Sequence, residues 1–499
     1  MNSLTNDSWS LPPVQKGLMI AALMAGAFMG IINETLLATA LPTIMDVFGL
    51  EESTVQWLTT VFLLTNGIMI PISAFLIERF TTRGLFLSAI GLFGIGTLVA
   101  SLAPTFSVLL LARVIQAAGS GIMLPLLMTV LLAIVPIERR GLAMGLAGVV
   151  ISFAPAIGPT LSGWLLEHFE WRALFYTVLP IVGVTITLAF LCIRNVTELS
   201  KPKIDILSII LSSFGFGGIL YGFSTVAEMG WDGSTVLLSI IGGFIVLFFF
   251  IRRQLRIKVP MLEFRIFQFP IFTISMLITM AVLISMIGAE TLLPLYMQTV
   301  MGFSPLESGL MLLPGAIVIG IMSPITGQLF DKFGAKWLAI FGLTIVTITT
   351  FLFTNITLDT SFTYLTTIYA IRMFGLSFAM MPVVTSALNQ LPKKWYSHGS
   401  AMMNTMQQVS ASLGTAMLVT FVGIGASRYS EGSSVDGLPQ EGAETQAMLL
   451  AQLNGYQWAF MGSTILAFVA LLLSFLLRSR KEEKAANYQE DEEQATANG

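Results

Sequence analysis

Long apolar runs alternate with short polar segments along almost the whole chain. A helix needs about 20 mostly apolar residues to cross the hydrocarbon core of a bilayer. Fourteen runs meet that requirement, and they lie near residues 17–42, 54–77, 84–103, 107–135, 141–166, 172–193, 204–226, 234–252, 270–298, 307–330, 336–355, 361–390, 399–424 and 456–478. The runs are apolar all round and lack the alternating polarity of membrane β-strands. The pattern therefore predicts an all-α integral membrane protein with fourteen transmembrane helices.

The composition excludes several other classes of protein. Charged residues make up 11% and hydrophobic residues 55% of the 499 residues, whereas a typical soluble protein is about 25% charged. The net charge of −3 and the lack of a basic arm exclude a nucleic-acid binder. A single cysteine, Cys192, excludes a disulfide framework. The two histidines are too few for a zinc enzyme, and we expect no metal or cofactor. We expect surface positions for His168, near an outer loop, and His398, near an inner one.

Basic residues cluster on one side of the predicted spans. The loops on that side carry, among others, Arg139 and Arg140, Lys393 and Lys394, whereas the opposite loops hold few basic residues and many acidic ones. By the positive-inside rule, the basic side faces the cytoplasm. We therefore expect a multi-pass protein of the plasma membrane with both termini in the cytoplasm.

The chain contains an internal repeat. The segment 71–83 aligns with 324–336, Glu34 aligns with Glu290, and Arg113 and Arg372 both precede a proline in their spans. The repeat predicts two six-helix bundles with two helices inserted between them, an arrangement found in secondary transporters. The expected parts are a cytoplasmic N-terminus at 1–16, a first bundle at 17–193, inserted helices seven and eight at 194–258, a second bundle at 259–478 and a disordered acidic cytoplasmic tail at 479–499.

Over residues 15–480 the chain resembles the fourteen-helix drug:proton antiporters of the major facilitator superfamily. That family has a G-x-L-a-D-r-x-G-r-r loop after the second span, which the second copy at 327–336 fits well. The first copy departs from it at Ala74, Glu78 and Thr81, so its turn is expected to differ. The run 113–121 matches the family's R-x-x-Q-x-x-G-x-G motif.

Two further motifs narrow the resemblance. The fifth span contains Gly158-Pro159-Thr-Leu-Ser162-Gly163, which is similar to the antiporter signature G-P-x-x-G-G. The first span carries Asn33-Glu34-Thr35 ahead of Ala-Leu-Pro, similar to the D-x-T…A-L-P of the fourteen-helix branch. Within the family, the Asn-Glu-Thr-Leu-Leu variant most resembles the lincomycin-resistance exporters of Gram-positive bacteria.

Two acidic residues, Glu34 and Glu290, lie well inside apolar spans. A carboxyl group is costly to bury in a bilayer, and burial favours its protonated form. Both residues are therefore candidates for proton coupling or drug binding, although either could instead hydrogen-bond a neighbouring helix. For Arg113 the resemblance implies support of proton coupling, and the alternative is that its side chain reaches to the nearby membrane interface.

Three groups of residues complete the candidate site. The substrate cavity is expected to be lined by Asn33, Glu34, Gln116, Met123, Phe153, Glu290, Arg372 and Met380, and flexible methionines such as Met128 and Met381 suit promiscuous binding. A seam of small residues, where the two halves rock past one another, comprises Ala154, Pro155, Gly158, Pro159, Ser162 and Gly163. A cytoplasmic latch, in which an acid meets a helix N-terminus or a base, comprises Glu78, Arg79, Arg83, Asp331, Lys332 and Lys336.

The resemblance implies a proton-coupled multidrug exporter that works by alternating access on lipophilic or cationic drugs, with lincosamides among the candidates. The expected partners are drugs, protons and the lipid bilayer, and we expect a monomer. One alternative is a secondary transporter of an endogenous solute or lipid. Another, a membrane-embedded lipid enzyme, is disfavoured because the chain lacks H-E-x-x-H and G-x-S-x-G. The outer segment 427–455 is expected to be a long loop serving as a lid, a partner site or slack.

Overall fold

The computed structural model describes residues 12–197, 199–200, 203–432 and 440–478, and the helices in these ranges are the only regular elements. They are α1 (Pro13–Ala38), α2 (Leu41–Phe48), α3 (Glu52–Val55), α4 (Trp57–Arg79), α5 (Thr82–Ser101), α6 (Phe106–Ile134), α7 (Arg140–His168), α8 (Ala173–Cys192), α9 (Ile206–Met229), α10 (Ser234–Gln254), α11 (Pro270–Thr299), α12 (Pro305–Phe333), α13 (Ala335–Leu352), α14 (Phe362–Asn389), α15 (Tyr396–Gly432) and α16 (Gln440–Ser474). Fourteen of these helices are long and apolar enough to cross a membrane, which confirms the predicted all-α membrane fold. The expected acidic tail and residues 1–11 of the expected N-terminal segment lie outside the described residues.

The six helices on each side of α9–α10 pack in the same way. In the first set α4 packs on α6, α5 on α6 and α8, and α1 on α6, α7 and α8. In the second set α12 packs on α14, α13 on α14 and α16, and α11 on α14, α15 and α16. We call these sets the first half (α1 and α4–α8) and the second half (α11–α16).

The turns show where the two copies of the repeat agree and where they differ. Gly49 and Gly302 both adopt left-handed backbone conformations, with φ of 62° and 73°. Gly334, between α12 and α13, has a φ of 78°, whereas its counterpart Thr81 is extended and caps α5 by accepting a hydrogen bond from the backbone of Gly84 at 3.2 Å. The first copy thus replaces a glycine turn with a hydroxyl cap, and the turn differs as expected.

The two halves contact each other through equivalent helices. The second spanning helix of each half packs on the fifth of the other, so α4 contacts α15 and α12 contacts α7. The α7–α12 contact is backbone to backbone, since a Cβ added at Gly141 would lie 2.2 Å from the carbonyl oxygen of Gly327, and one at Gly145 would lie 2.4 Å from that of Ser323. We call the end of the bundle where α7 begins the inner end, and the sequence predicts that it faces the cytoplasm.

The α9–α10 hairpin lies against both halves. Helix α9 packs on α4 and on α15 beside their mutual contact, and α10 packs on α9. Trp57 of α4 stacks on Tyr221 of α9 with ring centroids 6.0 Å apart, and Trp231 after α9 donates a hydrogen bond to Thr420 of α15. The hairpin therefore bridges the two halves along one side of the bundle.

The outer segment 427–455 is helical wherever it is described, so the expectation of a long loop is wrong there. Helix α15 runs on to Gly432, and α16 already begins at Gln440. The 37 residues of α15 extend about 55 Å at 1.5 Å per residue, well beyond the roughly 30 Å of a hydrocarbon core. The polar residues of this segment therefore extend α15 and α16 beyond the length needed to cross a membrane. Residues 433–439 lie outside the described ranges.

Candidate functional site

A fully buried arginine anchors a polar network in the first half. Arg113 of α6 is 0% exposed, and its Nη1 donates to Asn33 Oδ1 of α1 and, at 3.1 Å, to Gln116 Oε1. Its Nε donates to the carbonyl oxygen of Leu58 at 3.3 Å, and the guanidinium carbon lies 4.0 Å from the ring centre of Phe62. With partners on α1, α4 and α6, Arg113 does not reach to the membrane interface.

The second half contains an equivalent network around Arg372. This arginine of α14 is also 0% exposed, and it donates from Nε to Thr350 Oγ1 at 3.1 Å and from Nη2 to the carbonyl oxygen of Ser285 at 2.9 Å. In the first half the corresponding threonine, Thr97, is reached through Gln116, whose Nε2 donates to it at 2.9 Å. Both arginines keep one buried Nη group without a hydrogen-bond partner, Nη2 in Arg113 and Nη1 in Arg372.

A glutamate accompanies each of these arginines. Glu34 on α1 and Glu290 on α11 are both partly buried. Glu34 directly follows Asn33, which accepts a hydrogen bond from Arg113, and Glu290 lies on the same helix as Ser285, whose carbonyl oxygen accepts one from Arg372. The structure thus places an acid and a fixed positive charge near each other twice, once in each half.

A cavity of about 80 Å³ lies between the halves, mostly on the side of the second half. Its wall carries hydroxyl groups, amide groups and methionine side chains but no charged side chain, and it is formed by Met128, Ile151, Ser152, Leu283, Met286, Ile319, Ser323, Ser377, Met380, Met381, Val384, Leu388, Ser400, Met403, Asn404 and Gln407. Helix α15 contributes a polar stripe in Ser400, Asn404 and Gln407. Their spacing of four and three residues is a helical-face signal that sequence reasoning missed.

The structure brings only part of the expected cavity set to this wall. Met380, together with Met128 and Met381, lies on it. Arg372, like Asn33 and Gln116, is instead held in the arginine networks. The remaining four, Glu34, Met123, Phe153 and Glu290, are not among the residues that form the wall. Polar side chains on neighbouring helices hydrogen-bond one another in the packed structure. The order of residues along the chain does not reveal these pairings.

Within the expected seam of small residues, Gly158 packs against the first half. A Cβ at Gly158 would lie 2.0 Å from Thr35 Oγ1 of α1, whereas Gly163 has open space around it. Ala154 and Ser162 are fully buried, Pro155 is partly buried, and Pro159 lies on the same helix. Close approaches between the halves lie earlier on α7, at Gly141, Gly145 and Gly148, where a Cβ would lie 2.2, 2.4 and 2.7 Å from atoms of the second half.

At the inner end Asp331 connects the halves. Its Oδ1 accepts a hydrogen bond from the backbone N–H of Gly141 at 2.8 Å, and its Oδ2 accepts one from Leu142 at 3.1 Å. These groups form the first turn of α7, where unpaired N–H groups and the helix dipole attract an anion. This is the arrangement of acid and helix N-terminus that the sequence suggested for a latch.

Glu78 makes the corresponding contact from the first half to α15. Its Oε1 lies 2.7 Å from His398 Nε2 and accepts from Ser397 Oγ at 3.2 Å. His398 is 4% exposed, so the expectation that it lies at the surface is wrong, whereas His168 is exposed as expected. The first turn of α15 is pressed against α4, and the position of His398 near a predicted loop hid that burial.

The basic residues of the expected latch make the following described contacts. Arg83 donates to the carbonyl oxygen of Phe190 at 2.7 Å within the first half, Arg79 lies 6.0 Å from the Phe80 ring centre, and Lys332 is exposed while Lys336 is partly exposed.

The base that connects the halves is Arg140, which sequence reasoning treated only as an inner-loop charge. Its side chain donates to Asn389 Oδ1 at 2.8 Å and to Tyr396 Oη at 3.1 Å, both in the second half.

Similarity to known proteins identifies the family. Residues 23–415 match the sequence family described as the Major Facilitator Superfamily. The chain belongs to this superfamily. It is 49% identical over 484 residues to the uncharacterized MFS-type transporter YcnB of Bacillus subtilis, covering 97% of this chain and 99% of the relative. It is 42% identical over 463 residues to the lincomycin resistance protein LmrB of Listeria innocua, covering 93% and 97%.

The fold comparison agrees with this assignment. The human organic anion transporter MFSD10 superposes with a TM-score of 0.66 at 13% identity, covering 93% of this chain and 100% of that one. The family resemblance drawn from the motifs, including its lincomycin-resistance branch, is thereby confirmed. The protein is a membrane-spanning transporter of the Major Facilitator Superfamily, whose members are not enzymes.

Proposed function

We propose that this transporter exports drugs in exchange for protons by alternating access, in the plasma membrane, with its inner end and both termini in the cytoplasm. Lipophilic cations and lincosamides are the first substrates to examine. LmrB, the relative named above, is described as a lincomycin resistance protein and shares 42% of its residues with this chain. Protons entering from outside would drive release of the drug, and each charge that moves down the membrane potential supplies about 2.3 kcal/mol per 100 mV.

The observation that carries the proposal is the duplicated pairing of a buried arginine with a glutamate. Arg113 binds Asn33, the neighbour of Glu34, Arg372 binds the carbonyl oxygen of Ser285 on the helix of Glu290, and each arginine keeps one Nη group without a hydrogen-bond partner. A carboxyl group beside a fixed positive charge can lose a proton even in a bilayer, because the charge compensates the resulting anion. The free N–H can bind the carboxylate when the proton has left.

The contacts between the halves support alternating access. Asp331, Glu78 and Arg140 make hydrogen bonds between the two halves at the inner end, and Ser400 on the cavity wall adds one to the carbonyl oxygen of Pro125 at 3.1 Å. These bonds hold the inner end closed in the present conformation. At the inner end, Asp331 and Glu78 each reach the start of a helix in the other half, and Arg140 reaches two polar side chains there. These three contacts therefore break together when the halves rock.

The cavity suits a substrate with uncharged hydrogen-bonding groups and apolar surface. Its wall offers hydroxyl groups, the amides of Asn404 and Gln407, and methionines that adapt to different shapes. A negative charge near the substrate comes from Glu34 and Glu290 rather than from this wall. This uncharged wall also favours a second candidate function, the transport of an endogenous amphiphile.

The deciding experiment is drug efflux from proteoliposomes with an imposed pH gradient. It compares several lipophilic cations and a lincosamide for the wild type, Glu290→Gln and the control Glu167→Gln, an exposed acid at the outer end. We expect gradient-driven efflux in the wild type and the control and its loss in Glu290→Gln.

If the wild type moves none of these compounds in response to the gradient, drug export is refuted and an endogenous solute becomes the substrate to seek. If Glu290→Gln retains gradient-driven efflux, Glu290 is not in the coupling path.

A further inference from the structure

Four separate segments of the chain meet at one ion-pairing contact at the inner end. The contact joins Glu78, at the end of α4, to His398, in the first turn of α15, with 2.7 Å between Oε1 and Nε2. The side chains are 14% and 5% exposed, respectively. Histidine is a side chain whose ring can gain a second proton and a positive charge, so this contact between the two halves includes a group whose charge can change.

Both linkers of the inserted hairpin end on the same contact. From the linker between α8 and α9, Ser200 donates its hydroxyl to Glu78 Oε2 at 3.1 Å and its backbone N–H to the carbonyl oxygen of Glu78 at 3.2 Å. From the linker between α10 and α11, the backbone N–H of Glu263 donates to His398 Nδ1 at 3.3 Å. The hairpin is therefore attached to the junction of the halves at both of its inner ends.

These contacts define the protonation states of the imidazole ring. Nδ1 accepts the N–H of Glu263, so neutral His398 carries its proton on Nε2 and donates it to Glu78. A second proton on Nδ1 would face that backbone N–H and displace it. The same proton would place a full positive charge beside the Glu78 carboxylate and so add a Coulomb attraction to a hydrogen bond whose acceptor is already charged.

The other charged groups around His398 do not replace Glu78 as its partner. On the hairpin linker the carboxylate of Glu263 is 3.6 Å from Arg265 and accepts the backbone N–H of that arginine at 3.1 Å. Among the described residues of the adjoining segments, the basic ones include Arg79 on α4, Lys203 before α9, Lys393 and Lys394 before α15, and Arg140, which is bound to Tyr396. The acid Asp205 pairs with Arg253 at 3.0 Å, and Glu78 is the carboxylate in contact with the ring.

We propose that Glu78 and His398 form a proton-binding latch that responds to cytoplasmic pH and to which the α9–α10 hairpin is anchored by Ser200 and Glu263. Acidification of the cytoplasm protonates His398, strengthens its contact with Glu78 and holds the inner end closed. The released N–H of Glu263 loosens one linker of the hairpin at the same time. The proposal rests on the alternating-access part of the proposed function and is independent of the substrate.

The test measures the separation of the halves without substrate or gradient. Spin labels are attached to cysteines introduced at Glu138 and Lys394, two exposed positions on opposite halves at the inner end, with Cys192 replaced by serine. Glu34→Gln and Glu290→Gln are included so that these acids do not titrate. In nanodiscs we expect the ratio of short to long distances to rise about threefold or more between about pH 8 and pH 5.5.

Three variants decide the outcome. His398→Gln keeps a hydrogen-bond donor but cannot become charged, and we expect it to abolish the pH response, as does Glu78→Gln. His168→Gln removes the exposed histidine and should leave the response intact.

Persistence of the response in His398→Gln, its loss in His168→Gln, or a longer distance at low pH would each overturn the proposal. Because no drug is present, failure to transport drugs would refute the proposed function without affecting this result, and the reverse also holds.

Discussion

Replacing Asp331 by asparagine should open the inner end of the transporter. The carboxylate accepts the backbone N–H groups of Gly141 and Leu142 at 2.8 and 3.1 Å. Asparagine retains one acceptor oxygen, but its amide NH₂ faces the other N–H group, and the negative charge at the start of α7 is lost. The variant therefore weakens the contact between the halves and leaves the interior of each half unchanged.

The magnitude follows from the two hydrogen bonds. A hydrogen bond to a charged group contributes about 1.5–3 kcal/mol, and an acid near a helix N-terminus contributes about 0.3–1 kcal/mol more. Loss of one bond and of the charge gives about 2–3 kcal/mol in favour of opening. At about 1.4 kcal/mol per tenfold change, the ratio of open to closed molecules rises roughly thirtyfold or more.

The assay uses a single thiol in the cavity. Asn404 on the cavity wall is replaced by cysteine and Cys192 by serine, and a membrane-impermeant maleimide is added to inside-out vesicles. The labelling rate follows the fraction of molecules open at the inner end. Asp331→Asn should therefore raise this rate at least about tenfold, which is below the roughly thirtyfold rise expected for the ratio of open to closed molecules.

Lys332→Gln is the matched control, since its side chain is exposed beside Asp331, and it should leave the labelling rate unchanged. An Asp331→Asn rate within about twofold of the parent, with normal folding and membrane insertion, would refute the reasoning, because a shift of even 1.4 kcal/mol is tenfold.

Three further predictions concern stability, each measured as a thermal unfolding midpoint. Gly158→Ala should lower the free energy of unfolding by about 1–3 kcal/mol through overpacking, because the new Cβ would lie 2.0 Å from Thr35 Oγ1. Gly163→Ala should be nearly neutral, because open space surrounds that position. Gly334→Ala should lower the free energy of unfolding by about 1–2 kcal/mol, because a φ of 78° brings a Cβ into steric conflict with the backbone. A neutral result would show that the turn can relax. Burial opposes ionisation of Asp205, but bonds from Arg253 and a serine outweigh it and hold its pKa below the usual range. Asp205→Asn should thus lower the free energy of unfolding by at most about 1 kcal/mol at pH 7. The difference in stability between wild type and variant should vanish as pH falls below about 3.9 through the lowered pKa, because the wild-type carboxylate is then protonated. A difference in stability that grows in acid would contradict this.

Much of the architecture is written locally in the sequence. Fourteen apolar runs specify fourteen spanning helices because a bilayer leaves backbone groups no partner outside the helix. The repeat is visible because both copies retain short motifs, and it aligns Glu34 with Glu290 and Arg113 with Arg372. The sequence predicts that Asp331 meets a helix N-terminus or a base, and its carboxylate accepts backbone N–H groups at the start of α7; its role as a latch stays a prediction.

The positions of other polar residues depended on the tertiary packing. His398 follows an inner loop in sequence, yet α4 covers it and supplies Glu78 from 320 positions earlier in the chain. The start of α7 makes Arg140 a contact between the halves, while Gly158 faces α1 of its own half. Hydrophobicity determines which segments enter the membrane, because it sums over about 20 residues of a single run. Which side chains meet depends on the rotation and crossing of helices that are distant in sequence, and only the packed structure determines these.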